Sequence, residues 1–216
     1  METKSEISES VIKDLTNILN VKNFSTIENQ YVHKQNKDYV LVSDIEDITD
    51  SVVKVMKIKS ENERFFYATA FPKFNCSFCF DHELDHLPFM MTIEVVRQIG
   101  VAIGHKYHGF PITGFANIMD KMQMKIDKFI ELDIPLLVVI RDIILKNKSS
   151  MQERMIYFDL YQNGIHCARI EINAIIMKNE IYIKLRKNNR LGLVQNTSLS
   201  ENPVTNIEMH TNLQHI

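Results

Sequence analysis

The chain has 216 residues, and its 25 Lys and Arg against 27 Asp and Glu leave a formal charge of −2, a balance that argues against a globally basic nucleic-acid binder. With 45% hydrophobic and 24% charged residues it is ordinary globular material, enough for one domain of about 150 residues plus appendages. There is no run of about 18 uncharged apolar residues, the opening METKSEISES has no apolar signal core, and Cys76, Cys79 and Cys167 are an odd set for a disulfide framework, so the expectation is a soluble, cytoplasmic chain with reduced thiols.

Ile7, Val11, Leu15, Ile18 and Leu19 recur at helical spacing and predict a short amphipathic docking helix over 5–20. LVSDIEDI (41–48) and ERFFYATAFP (63–72) read as strands, the second ending at Pro72. FMMTIEVVRQIGVAIGHKYH (89–108) follows Pro88 and stops before Gly109 and Pro111, which predicts one long helix. It is apolar on nearly every face, so it needs protein around it. Glu94, Gln98, Val101 and His105 fall within roughly 60° of arc with Arg97 beside them, a polar stripe that must meet something polar. Gly100 and Gly104 make a smooth strip where a sheet can come close.

Four strands complete the pattern: alternation around Met122, Met124 and Ile126; IPLLVVIRDIIL (134–145); RMIYFDLY (154–161) before Asn163-Gly164; and alternation from Ala168 to Ile176. Two strands, one long helix and four mostly antiparallel strands describe an α+β hotdog arrangement, a sheet wrapped around one long central helix with an N-terminal amphipathic helix added. The expected organisation is a helical extension (1–28), a single hotdog domain (29–187) and a mobile C-terminal tail (188–216) rich in Asn, Ser and Thr.

The run Asp81-His82-Glu83-Leu84-Asp85-His86-Leu87-Pro88-Phe89-Met90, followed by Glu94 and Arg97-Gln98, resembles the Asp-His-x-x-Asp-His-x-Pro-Gly-Met…Glu-x-x-Arg-Gln signature of the A-factor biosynthesis (AfsA-type) hotdog family. Val32-His33-Lys34 before VLVSDI, and Gly100…His105…Gly109-x-Pro111, resemble that family's flanking motifs, so the resemblance covers about 30–130. It implies an acyltransferase of the γ-butyrolactone-synthase type, moving a β-ketoacyl chain from an acyl carrier protein thioester to the hydroxyl of dihydroxyacetone phosphate. The family usually carries two hotdog repeats and this chain has one, which implies a homodimer. Phe89 stands where the family has Gly. The helix is also similar to β-hydroxyacyl carrier protein dehydratases in the register of Pro88, Glu94 and Gln98, so the alternative is a dehydratase or thioesterase, or a non-catalytic acyl-binding subunit.

The expected catalytic residues are Glu94, as a base with its pKa raised by burial, Arg97, holding phosphate or the thioester oxygen, and His82 and His86 in the loop before the helix. Gln98, Asp85, Pro88, Phe89 and Met90 are expected to touch substrate. A buried Glu94–Arg97 ion pair is the structural alternative. Cys76, Cys79, His82 and His86 could in principle ligate zinc, but all four sit in one short loop instead of two separated pairs. No metal and no cofactor are expected. Lys178, Lys184, Arg186, Lys187 and Arg190 form a basic run after the last strand, either a solvated edge or a docking patch for an acidic carrier protein; nucleic acid and membrane are not expected partners.

Overall fold

The computed structural model describes residues 9–21, 42–47, 62–70 and 85–197. In chain order these form helix α1 (Glu9–Val21), strands β1 (Val42–Asp47) and β2 (Glu63–Ala70), helix α2 (Phe89–Lys106), strands β3 (Phe115–Ile126), β4 (Leu136–Lys148), β5 (Met151–Gln162) and β6 (Ile165–Lys178), and helix α3 (Asn179–Thr197). All six strands join one antiparallel sheet in the order β1-β2-β4-β5-β6-β3. The chain has the hotdog fold, of α+β class.

Strand alternation sends side chains to two different cores. Phe66 and Ala68 of β2, Leu136, Val138 and Ile140 of β4, and Ile156, Phe158 and Leu160 of β5 meet Met91, Val95, Val96, Ile99, Ala102 and Ile103 of α2. Their neighbours Phe65, Tyr67, Leu137, Val139 and Tyr161 cluster with Val11, Ile12 and Leu15 of α1 on the other side. This double burial is why 134–145 reads as almost unbroken apolar sequence: β4 has no solvated face over its first half. Each fully buried Leu, Ile or Phe contributes about 1.5–3 kcal/mol.

The sheet comes close to α2 where the glycines sit. A Cβ on Gly104 would lie 3.2 Å from Ile176 Cδ1 and 3.5 Å from Arg154 Nη1, whereas one on Gly100 would reach Phe158 at an ordinary 3.7 Å. Past the helix, Gly109 takes a left-handed φ of 71°, and Phe110 N–H returns to Gly104 O at 3.1 Å. Asn163 (φ 48°) and Gly164 (φ 77°) turn the β5–β6 hairpin in the way two left-handed residues allow.

Residues after Lys178 form a separate compact unit, whose described part is α3. The basic run after Lys178 is therefore helical and not a strand edge, and the helix runs through the expected boundary at 187/188 to take in 188–197; residues 198–216 lie outside the described residues. Leu185, Arg186, Lys187, Arg190 and Leu191 are good helix formers and outweigh Asn188 and Asn189.

Candidate functional site

One stripe of α2, carrying Ile93, Glu94, Arg97, Val101 and His105, is only half buried, while Val95, Val96, Ile99, Ala102 and Ile103 on the opposite side are sealed in the core. The expectation of cover on every face is corrected here: this stripe of the helix stays half exposed. On it Glu94 and Arg97 form a two-bond fork, Arg97 Nε donating to Oε2 and Nη2 to Oε1, both at 2.6 Å. Gln98 is buried and donates from Nε2 to the same Oε1 at 2.9 Å. The spacing explains the cluster, since residues three and four apart share a helix face. The two charged side chains retain 32% and 34% exposure, so the full desolvation expected of a buried pair does not apply. Bonding to Glu94 raises the Arg97 guanidinium above its usual pKa, against the smaller lowering from burial.

His105, on the same stripe, is turned to the backbone: its Nδ1 donates to Phe110 O at 2.8 Å and closes the end of the helix. Phe89 and Met90, in the first turn, are 52% and 43% exposed. Met91 is sealed in the core, so the two neighbouring methionines of the first turn are split between surface and interior.

Before the helix, Pro88 caps α2 without a side-chain hydrogen bond, and His86 lies two residues upstream. Its Nδ1 is 2.7 Å from Asp85 Oδ1, a bond that holds the exposed Asp85 carboxyl below the usual carboxylate range. The His86 ring lies 4.8 Å from the Phe129 ring, and its backbone bridges to Glu131. Leu87 N–H donates to Ile130 O at 2.7 Å.

The β3–β4 connection that receives these contacts is pinned at both ends. At one end β6 bulges at Cys167, so that Leu160 faces Ala168 and Tyr161 faces His166. The carbonyl of Cys167 accepts from Asp127 N–H at 2.8 Å and Lys128 N–H at 3.0 Å. At the other end the buried Gln162 accepts from Glu131 N–H and donates to Glu131 O and Ile134 O, all within 2.7–2.8 Å. Sequence reasoning missed Gln162, because a lone Gln at a strand end gives no signal until its partners are known.

Two further polar groups were also missed. Asp142, Arg154 and His108 form a sealed cluster: Arg154 Nε donates to Asp142 Oδ1 at 3.0 Å, Nη2 donates to Oδ2, and His108 Nε2 lies 2.8 Å from Oδ2. Asp142 sits opposite Ile156 in the ladder, so Arg154 is its diagonal neighbour on the same face. Burial pushes the Asp142 carboxyl up, but the His108 bond and the Arg154 charge more than offset it and hold it low. On the other face Asp159 sits opposite Arg169 and accepts Nε at 2.8 Å and Nη2 at 2.9 Å, with His166 Nε2 at 3.1 Å. Burial raises this carboxyl too, but the His166 and Arg169 bonds more than offset it and hold it below its ordinary range. The signal for both lay in charged residues set inside strongly apolar strands.

The structure thus gathers Glu94, Arg97 and Gln98 on one helix face and places Asp85, His86, Pro88, Phe89 and Met90 at its start. His82, Cys76 and Cys79 lie outside the described residues. Among the described residues no group of three or more His, Cys, Asp or Glu could hold a metal ion, and no helix is long and apolar enough to cross a membrane.

Comparison with solved structures finds a Lactococcus lactis protein described as a candidate thioesterase (14% identity, 67% of this chain and 98% of that one, TM-score 0.44). It also finds a hot-dog-like protein of Thermanaerovibrio acidaminovorans (9% identity, 58% and 89%, TM-score 0.42) and a thioesterase of Haemophilus influenzae (10% identity, 62% and 78%, TM-score 0.36). Among curated protein sequences none matches this chain significantly. The profile of the A-factor biosynthesis hotdog domain matches residues 19–178, a span that contains the whole sheet, α2 and the Glu94–Arg97–Gln98 cluster, and the chain belongs to that family.

Proposed function

We propose that this chain is a cytoplasmic, cofactor-independent acyltransferase that moves a β-ketoacyl group from an acyl carrier protein thioester to the hydroxyl of a small acceptor of the dihydroxyacetone phosphate kind. The observation that carries this reading is the Glu94–Arg97–Gln98 cluster on the half-open stripe of α2. A guanidinium has five N–H donors, and the fork to Glu94 uses two. The rest are available to a phosphate, for which a planar cation fixed in direction is well suited. The family's known chemistry supplies the donor and acceptor classes.

Two partners belong to this reading. Lys184, Arg186, Lys187 and Arg190 are exposed on α3 and suit an acidic carrier protein. A second copy of the chain is the other partner, because among the described residues β3 ends the sheet with β6 as its one strand neighbour, its Met119 and Ile126 are exposed, and an open edge is a template for pairing. A homodimer would also supply the second repeat that the family usually carries in one chain.

The direct assay mixes the protein with a β-ketoacyl carrier protein, with and without dihydroxyacetone phosphate, and follows the thioester. Loss of thioester that depends on the acceptor and yields its ester is the expected result. Release at the same rate in water alone would make the chain a thioesterase, and an enoyl product would make it a dehydratase.

A further inference from the structure

The transfer reading needs a group that takes the acceptor's hydroxyl proton, and the two candidates among the described residues, Glu94 on α2 and His86 before it, are bonded very differently. Glu94 has both oxygens occupied: Oε2 holds Arg97 Nε, and Oε1 holds Arg97 Nη2 and Gln98 Nε2. Taking a proton there would cancel the charge that holds a permanently cationic guanidinium in place. His86 is arranged in the opposite sense. Asp85 Oδ1 can only accept, so the 2.7 Å contact places the proton on Nδ1 and leaves the lone pair of a neutral ring on Nε2. Among the described residues nothing is bonded to Nε2. The ring keeps 35% exposure, and its position is fixed by Phe129, by the bridge to Glu131 and, through Glu131, by the buried Gln162.

We propose that His86 Nε2 is the proton acceptor of the transfer reaction, with Asp85 setting its tautomer, and that Glu94 is a positioning residue that aims Arg97. This assignment rests on the transfer reading. As the acceptor oxygen attacks the thioester carbonyl carbon, its proton passes to His86 Nε2. The new C–O bond forms, the C–S bond breaks, and the sulfur leaves with the bonding pair and takes the proton back from the imidazolium. The products are the acyl ester and the free thiol of the carrier protein, with no further reactant consumed. Gln162 acts at one remove as a second positioning residue, holding the backbone partner of His86.

The test compares the parent with His86→Gln, Asp85→Asn and Glu94→Gln in the acceptor-dependent assay, with a melting curve for each and with nitrogen NMR of the histidine rings. His86→Gln is expected to lower kcat by roughly 10²–10⁴-fold with little change in acceptor KM. Glu94→Gln is expected to raise acceptor KM more than it lowers kcat. The parent is expected to show the Nδ1-protonated neutral tautomer of His86, and Asp85→Asn to lose that preference. A folded His86→Gln variant within threefold of parental kcat overturns the His86 role while leaving the transfer reading intact. So does an Nε2-protonated tautomer in the parent. A parent that leaves the thioester untouched in the presence of acceptor overturns the transfer reading and this assignment together.

Discussion

Two of the bidentate guanidinium–carboxylate pairs among the described residues contrast sharply in their surroundings. Asp142 and Arg154 join β4 to β5 with side chains 0% and 1% exposed, and His108 adds a third contact. Glu94 and Arg97 join two turns of one helix at about one-third exposure. The buried pair connects residues twelve apart across a sheet and closes against the end of α2, so it holds elements together. The helical pair connects residues that the helix already holds together, so its contribution to folding is small, and its open side is available to a ligand. Identical chemistry therefore serves the fold in one place and a candidate site in the other, and burial decides which.

The largest effect expected from breaking this contrast is at Arg154. Arg154→Leu leaves the Asp142 carboxylate buried without its cation and should cost about 3–5 kcal/mol, read as a lower urea midpoint at unchanged slope. A loss under about 1 kcal/mol would mean that the buried pair is not what joins β4 to β5. Acid gives the same contrast without mutation. Asp142 and Asp159 both titrate below their ordinary range in the folded chain. Their stabilisation is therefore full above the unfolded carboxylate value of about 3.9, and is lost as pH falls through their lower folded values. Melting temperature should fall steeply below about pH 4, and Asp142→Asn should flatten that fall.

A middle-sized effect is expected at Gln162, whose replacement by Leu strands Glu131 N–H and two carbonyls and should cost about 1–3 kcal/mol. If hydrogen exchange at Glu131 and Ile134 is unchanged in that variant, the clamp on the β3–β4 connection does not exist in solution. The smallest effect on stability belongs to the helical pair: Arg97→Lys should shift stability by no more than about 0.5 kcal/mol. It should nevertheless raise acceptor KM by removing the planar fork. A large melting shift there, with acceptor saturation unchanged, would reverse the roles of the two pairs.

Much of this was legible before any coordinates. The apolar pattern located α1, α2 and five of the six strands to within a few residues, whereas β3 begins at Phe115, well before the alternation around Met122 that announced it. The Glu94, Arg97 and Gln98 cluster was legible too, since spacing along one helix fixes who meets whom. Residues after Lys178 were harder to read: their apolar side chains follow no clear face, and the helix there is set by propensity in place of pattern. Asp142 and Arg154 sat in plain view inside apolar strands, but nothing in the chain says which strand lies beside which.

By itself, then, the sequence determined α1, α2, the strands, the near-continuous apolar run of β4, the Asn163-Gly164 turn and the helix face that carries the candidate site. These all follow from local geometry acting on neighbours in the chain. Only the tertiary structure decided that Arg154 meets Asp142 and His108, that Gln162 pins the connection behind His86, and that the α2 stripe stays half open. Each of those depends on strand order and register, which place distant residues together, and on how much water is left beside a charge once the sheet has closed over it.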